Sequence, residues 1–435
     1  MRFTSTRNKS ISVSFSQAVL DCMPDDGGLY VPFETEDLRR WVLYTDENTT
    51  FQSIAGSLTS AFIRDEFSPI ICETIVSKAF KFAPEIKMLD KNLFLLELFH
   101  GPTGIHKDFG ISYLVSCIET IFNLKGGRAT FLDISTGELG ASLAHALKGK
   151  KNIKAVLLYP KGTVRGLSDE DLFWNGGNML PIEIDGTEED CHVIMREIYA
   201  DKTFARDAFL TVANTANIGR LLPQAFFYPF AFSRIKNKVN SSIFYSLAPG
   251  NYSNVVAGLY AWQFALPLNG FVLPETNALS TKPSGEPNLL DSIVPFKQRK
   301  PVDPSEPSNL ERLENIFSAN STMMRHFIFP MPIDENEVNA AAKELFLKYN
   351  VLADRHTARA YASSKNYALS KSDEMGTTVL VARDSPALSA EFVRHTIGET
   401  PKMNENIKKS FEKIDLKRPY IKSINEVKAI IKSIK

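Results

Sequence analysis

The chain has 435 residues, with 50 basic and 50 acidic side chains and therefore no formal net charge. At ~150 residues per domain this length makes two or three domains, and 44% hydrophobic with 23% charged content is that of a globular chain with a large core. Zero net charge removes any electrostatic ground for expecting a nucleic acid or an anionic membrane as partner.

The first ten residues, Met1-Arg-Phe-Thr-Ser-Thr-Arg-Asn-Lys-Ser10, lack the apolar core of a signal peptide. Residues 1–92 alternate helical patterns with polar turns. Asp25-Asp-Gly-Gly-Leu-Tyr-Val-Pro32 predicts a tight turn that enters an extended segment. Apolar residues at Phe51, Ile54, Leu58 and Phe62 predict a helix over 51–64.

From residue 93 the pattern becomes α/β. Strands are expected at 94–98, 129–134, 155–159, 209–212, 243–247 and 378–382, with helices at 140–147 and 221–235 among the segments between them. Such alternation predicts largely parallel sheets covered on both faces, which bind ligands beyond the carboxyl ends of their strands. The longest apolar stretch, 255–274, is broken by Gln263, Pro267, Asn269 and Gly270. It reads as a buried helix followed by a strand and not as a membrane span. Residues 279–309 form a proline-rich loop, and the lysine-rich tail from Glu399 has the pattern of solvated helix. Cys22, Cys72, Cys117 and Cys191 are too scattered for a zinc site or a disulfide framework, so no metal is expected and buried reduced thiols are. A cytoplasmic location is the expectation.

Six segments carry chemistry. The first is Glu97-Leu-Phe-His-Gly-Pro-Thr-Gly-Ile-His-Lys-Asp-Phe-Gly110, which puts Lys107 after a Gly/Pro turn at the start of a helix. A lysine there suits a Schiff base, which needs a neutral amine. The second, Ile134-Ser-Thr-Gly-Glu-Leu-Gly-Ala-Ser142, is a glycine-rich turn from strand to helix, where free N–H groups welcome an anion. Third comes Tyr159-Pro-Lys-Gly162. Fourth is Ala213-Asn-Thr-Ala-Asn-Ile-Gly-Arg220, in which a guanidinium fork with a hydroxyl and an amide suits a phosphate, while Asn217 also suits a helix cap. The fifth, Ala248-Pro-Gly-Asn-Tyr-Ser-Asn254, is another strand-to-helix turn. The sixth is Thr378-Val-Leu-Val-Ala-Arg-Asp-Ser-Pro-Ala387.

In this order the segments resemble those of the threonine synthases, pyridoxal-phosphate (PLP) enzymes of the fold-type-II, tryptophan-synthase-β-like family. The family reads E-L-F-H-G-P-T-x-A-F-K-D at the first segment, T-S-G-D/N-T-G-A-A-V-A-H-A at the second, Y-P-K-G-K-V-S at the third, A-N-S-I-N-x-x-R at the fourth and P-S-G-N-F-G-N/D at the fifth. The resemblance implies two parallel-sheet α/β domains with a helical N-terminal domain: 1–92 N-terminal, 93–127 with 223–435 large, and 128–222 small. It implies that Lys107 is catalytic and carries PLP. Glu138, Gly250, Asn251, Tyr252, Ser253, Asn254 and Arg383 would line the cofactor. Ser135, Thr136, Lys161, Asn214, Thr215 and Arg220 would hold a small phosphorylated amino acid. The implied reaction is O-phospho-L-homoserine plus water to L-threonine and phosphate, in a monomer or homodimer.

The chain also departs from the pattern. His106 stands where the family has phenylalanine, Glu138 where it has Asp or Asn, and Leu139 where a threonine hydroxyl belongs to the site. Thr163 and Arg165 replace a lysine and a serine. Ser253 replaces a glycine, which would cost ~1–2 kcal/mol if that position needs a positive φ. Aligned on Pro386 and Ala387, Arg383 replaces a threonine whose hydroxyl meets the ring nitrogen, and Ser385 replaces a histidine. Asp354-Arg-His-Thr-Ala358 resembles D-P-H-T/S-A, with His356 read as a structural residue. These changes leave open a phospho-lyase acting on another substrate, or an impaired homologue kept for binding or regulation.

Overall fold

The computed structural model describes residues 1–289, 294–370 and 376–434, so residues 290–293 of the proline-rich loop lie outside the described residues. The expected α/β class is present as two largely parallel sheets. The larger sheet has six strands in the order Ile328–Met331, Gly270–Pro274, Ile243–Ser246, Thr377–Ala382, Leu93–Glu97, Glu85–Asp90. Every neighbouring pair is parallel except the last, which is antiparallel. The smaller sheet has four parallel strands in the order Met179–Ile184, Ile153–Pro160, Ala129–Ile134, Leu210–Thr211.

Both sheets are apolar on both faces. In Thr377–Ala382, Val379 and Val381 enter one core cluster while Leu380 and Ala382 enter another. In Ile153–Pro160, Ala155 and Leu157 pack on one side and Val156 and Leu158 on the other. This is why the strands read as continuous apolar runs rather than alternating ones. Glu85–Asp90 escapes a reading of that kind because it is a partly exposed edge strand of mixed polarity, and Pro181 inside Met179–Ile184 sits on an edge strand that tolerates it.

The helix Lys107–Lys125 is set by aromatic packing. Phe109 is fully buried, with its ring centroid 5.5 Å from Phe51, 5.9 Å from Phe80, 4.7 Å from Phe82 and 5.0 Å from Phe227. Phe51 opens the helix Phe51–Ile63, capped by Thr50, whose side chain accepts from Ser53 N. The N-terminal helices thus seat the helix that begins at Lys107. Truncating such a buried phenylalanine costs about 3–5 kcal/mol. Arg312, also fully buried, binds Tyr30 O at 3.0 Å, Asn309 Oδ1 at 2.7 Å and Ala216 O at 2.9 Å, joining three segments through one guanidinium.

The expected helix 221–235 is divided into Ile218–Leu221, a 3-10 stretch Leu222–Phe226 that begins before Pro223, and Phe227–Ile235. Proline lacks the N–H that a continuous α-helix needs there. The tail departs further from a solvated helix. Among the described residues it holds only the helices Glu405–Lys409 and Ile424–Ser433, and Val427 and Ile431 are buried in the core cluster of the smaller sheet. Ile421 bridges Ile184, and Ile414 N donates to Val164 O at 2.9 Å. Residues 413–434 therefore pack on the four-stranded sheet, not on the larger one with which they were grouped. All four cysteines are buried and free. Among the described residues no helix is long and apolar enough to cross a membrane.

Candidate functional site

The strand Leu93–Glu97 ends in a turn held by its own side chains. Glu97 receives Lys87 Nζ at 2.7 Å and lies 2.9 Å from His100 Nε2. Thr103 N and Thr103 Oγ1 each donate to Asp108 at 2.7 Å. Gly101 is required here, because a Cβ would lie 2.5 Å from Asp108 Oδ2. The turn delivers Lys107 as the first residue of its helix, with Nζ 2.7 Å from Glu138 Oε2. The two side chains keep 38% and 41% exposure, so a ligand can reach the amine.

Glu138 opens the helix Glu138–Leu147 of the smaller sheet. The preceding turn is braced by Ser135 Oγ, which accepts from Gly137 N and Gly140 N at 3.0 Å each. Gly137 has φ +117°, a conformation that favours glycine. Thr136 is exposed at the turn, and its carbonyl accepts from Arg165 Nε at 2.5 Å. The Lys107–Glu138 contact thus joins the loops of the two sheets at their carboxyl ends.

The third wall is the turn 248–254. Positive φ falls on Gly250, at +52°, and on Tyr252, at +65°, while Ser253 is the first residue of the helix Ser253–Gln263. The serine is therefore not strained by a positive φ; the strained non-glycine position is Tyr252. Ser253 N donates to Asn251 Oδ1 at 3.3 Å, and the Tyr252 side chain makes no capping bond, so the next N–H groups of this helix start can serve an anion. Asn254 is buried with Oδ1 unpartnered. Arg383 follows the strand Thr377–Ala382 and turns inward, 8% exposed. Its Nη1 donates to Ala248 O at 3.3 Å, and a Cβ on Gly250 would lie 2.8 Å from that nitrogen. Arg383 Nε is buried without a partner. A lysine amine, a helix start with N–H groups to spare and a half-satisfied buried cation on adjoining turns fit a phosphorylated aldehyde cofactor.

Asn251 Nδ2 donates to Thr215 Oγ1 at 2.8 Å, tying this wall to the segment 213–220. Thr215 also accepts from Asn309 Nδ2 at 3.0 Å. Asn217 caps the helix Ile218–Leu221 by accepting from Gly219 N at 2.9 Å. Arg220 is 3% exposed and packs on Gly110, with Nε and Nη1 unpartnered. Burial pulls its pKa down to about 10, opposed by the charges of Asp108 and Asp133. A buried cation left half-satisfied in this way calls for an anion.

Two expected phosphate or substrate contacts are placed otherwise. Asn214 Nδ2 donates to Asp133 Oδ1 at 3.1 Å and to Pro304 O at 2.7 Å, while its Oδ1 accepts from Ala216 N at 3.0 Å. Its amide is fully used in shaping the loop. Lys161 pairs with Asp185 Oδ1 at 3.2 Å and lies 4.3 Å from the Tyr420 ring, on the face covered by the tail. Asp133 is itself buried, which pushes its pKa up to about 8.

The sequence reading missed a second layer. His106 Nδ1 lies 3.1 Å from Asp384 Oδ1, and Ser142 Oγ donates to Asp108 Oδ1 at 2.6 Å. Burial pushes His106 down to about 4, whereas the hydrogen bond with His106 and the charges of Arg383 and Lys107 hold Asp384 below the usual carboxylate range against the effect of burial. His356, exposed at its rim, stands beside Arg383; desolvation first and that guanidinium second push its pKa down to about 4. Ile407 of the tail packs on Gly104, and Ser410 O lies 2.8 Å from the Cβ position of Gly137. A cavity of about 890 Å³ opens elsewhere, between residues 11–25 and 199–210 near Ala129, at the amino end of the strand Ala129–Ile134. It holds none of the expected site residues, and among its charged side chains Arg206 pairs with Asp25 and Arg128 lies over the Phe209 ring.

A family model described as the threonine synthase N terminus matches residues 2–80. The threonine synthase of Buchnera aphidicola subsp. Schizaphis graminum is 31% identical over 366 residues, 83% of this chain and 84% of that one. The solved structure of threonine synthase from Escherichia coli aligns with a TM-score of 0.79 at 24% identity, covering 100% of both chains. The PLP-bound threonine synthase from Brucella melitensis aligns with a TM-score of 0.79 at 20% identity, covering 100% of this chain and 99% of that one. At these identities the two structures speak for the fold, and the sequence relative speaks for the family.

Proposed function

The chain belongs to the threonine synthase family, and from that premise we propose that it is a PLP-dependent lyase converting O-phospho-L-homoserine and water to L-threonine and phosphate. The observation that carries this reading is the Lys107 amine held by Glu138 at 2.7 Å, next to His106, whose N donates to Arg383 O while Arg383 Nη1 donates to Ala248 O in the turn that opens the helix at Ser253. PLP, when bound, supplies the electron sink for carbanion chemistry at the substrate's α and β carbons. Lys107 would carry the cofactor through its amine and then move protons at those carbons. Glu138 would orient Lys107. The turn with Gly250, Asn251, Tyr252, Ser253 and Asn254 would hold the cofactor phosphate, and Arg383 would line its ring.

On the substrate side, Arg220 would take the phosphate with its two free N–H faces, and Thr215 would border it. The turn at Ser135 and Thr136 would face the substrate carboxylate. Asn214 shapes the phosphate loop in this reading, and Lys161 takes no part. The division into 1–92, 93–127 with 223–412, and 128–222 with 413–434 belongs to the same proposal, as do a cytoplasmic location and a monomeric or homodimeric state.

The test is release of inorganic phosphate from O-phospho-L-homoserine by the purified chain with added PLP. Release that disappears in Lys107→Ala, together with the cofactor's visible absorbance, is the expected result. Visible cofactor absorbance without phosphate release overturns the assigned reaction.

A further inference from the structure

His106 and Arg383 are two of the positions at which this chain departs from its family's pattern, and the structure brings them together through Asp384. His106 Nδ1 lies 3.1 Å from Asp384 Oδ1, and Arg383 Nη2 lies 3.8 Å from Asp384 Oδ2. The backbone joins the same segments. His106 N donates to Arg383 O at 2.8 Å, Ser385 N donates to Gly104 O at 2.8 Å, and Ile105 bridges Asp384. The residue immediately before Lys107 is therefore tied, by side chain and main chain, to the residues that press a guanidinium onto the turn at Ala248 and Gly250.

We propose that Asp384 is a positioning residue: with His106 it fixes the Arg383 guanidinium against the Ala248–Gly250 turn beside Lys107, and its carboxylate balances that fixed cation where the cofactor sits. The inference rests on the reading that Lys107 and the 248–254 turn hold PLP.

The charge arithmetic favours this arrangement. Arg383 has one carbonyl acceptor at 3.3 Å and a buried, unpartnered Nε, so without Asp384 it is a buried cation with no counter-charge in contact. The other ionisable groups that face the pair come from every neighbouring element: Lys107 and Arg220 near the helix 107–125, Asp354 and His356 at the start of the helix Arg355–Ser370, and Glu138 from the smaller sheet. Of these, Asp354 bonds Thr357 N at 2.8 Å and burial raises its pKa to about 6, so it is the weaker counter-ion. Burial keeps His106 neutral, so it steers the Asp384 carboxylate without cancelling its charge.

The experiment uses the full chain loaded with PLP and reads two quantities, the cofactor dissociation constant and the pH midpoint of the bound cofactor's absorbance change. Asp384→Asn keeps the shape and the acceptor for His106 but removes the charge. It is expected to lower the midpoint by about one pH unit, as an uncompensated cation disfavours a nearby proton. Arg383→Gln alone is expected to raise it by about one unit. The double variant is expected to return it close to wild type, because the two charges act on each other. A purely structural Asp384 would weaken cofactor binding and leave the midpoint in place. Asp384→Asn with the wild-type midpoint, or Arg383→Gln with no shift, overturns the inference. A wild-type chain with no cofactor absorbance overturns instead the PLP reading beneath it.

Discussion

Ser142 Oγ donates to Asp108 Oδ1 at 2.6 Å, and this bond crosses from the helix Glu138–Leu147 of the smaller sheet to the helix that begins at Lys107. Asp108 is 1% exposed; burial raises its pKa, and the bonds from Ser142 and Thr103 oppose that rise. Ser142→Ala leaves the carboxylate with Thr103 alone. Loss of a hydrogen bond to a buried charged group costs about 1.5–3 kcal/mol, so the unfolding free energy from urea titration should fall by that amount, through a lower midpoint with an unchanged m-value. An unchanged midpoint would show that water replaces the hydroxyl at no cost.

Arg220 offers the second prediction. Its Nε and Nη1 have no partner and the side chain is buried, so the free protein carries an incompletely compensated cation. An anion that completes it should stabilise the fold. Inorganic phosphate at a hundredfold excess over its dissociation constant should add about 2.7 kcal/mol, read as a rise in the thermal midpoint. In Arg220→Met that rise should vanish, and KM for the phosphorylated substrate should increase about 10–100-fold, the equivalent of losing roughly 1.4–2.7 kcal/mol of binding. If phosphate stabilises Arg220→Met as much as wild type, the phosphate subsite lies elsewhere.

The two predictions differ in how far the sequence foretold them. Lys107, the turns at 134–142 and 248–254, and Arg220 were legible because each sits in a local pattern of glycines and polar residues at the end of an apolar run. Asp384, Asp108 and Ser142 act through contacts between segments 34 to 278 positions apart, and no local pattern marks such pairs. Asn214 and Lys161 were assigned from their place in a motif, yet their partners Asp133, Pro304, Asp185 and Tyr420 are distant in the chain and decide what they do. The tail misled for another reason. Its lysines dominate the pattern, while Val427 and Ile431, spaced one helical turn apart, supply the buried face.

Acid stability follows from His106. Its ring is buried, and its pKa is pushed down to about 4, whereas an unfolded histidine titrates near ~6.5. The folded state thus binds fewer protons than the unfolded state in this window, so stability falls as pH falls. The contribution is fully present above about pH 6.5 and is lost on the way to pH 4. His106→Asn keeps a donor for Asp384 and removes the titration, so unfolding free energy measured across this range should slope less steeply. His356, whose pKa is also pushed down to about 4, leaves part of the slope in place. An identical slope in the variant would mean that His106 is protonated in the folded state.

The last prediction concerns Gly137, where two constraints coincide. Its φ of +117° is one that an L-residue adopts only with strain, and a Cβ there would meet Ser410 O at 2.8 Å and Arg165 Cγ at 2.9 Å. The carbonyl belongs to the tail, which Ile407 also anchors on Gly104 in the lysine turn. Gly137→Ala must therefore either lift the tail or move the residue that follows, and that residue is Glu138, the partner of Lys107 at 2.7 Å. Backbone strain of this kind costs about 1–3 kcal/mol. Ile407→Ala removes the tail's apolar anchor and costs about 2–5 kcal/mol as a cavity, without touching the Glu138 backbone. The two variants should separate. Gly137→Ala should weaken PLP binding about tenfold, in line with about 1.4 kcal/mol of the strain, whereas Ile407→Ala should lower the unfolding free energy with a smaller change in cofactor affinity. Equal effects on affinity would show that the tail, and not the turn geometry, holds Glu138 against Lys107.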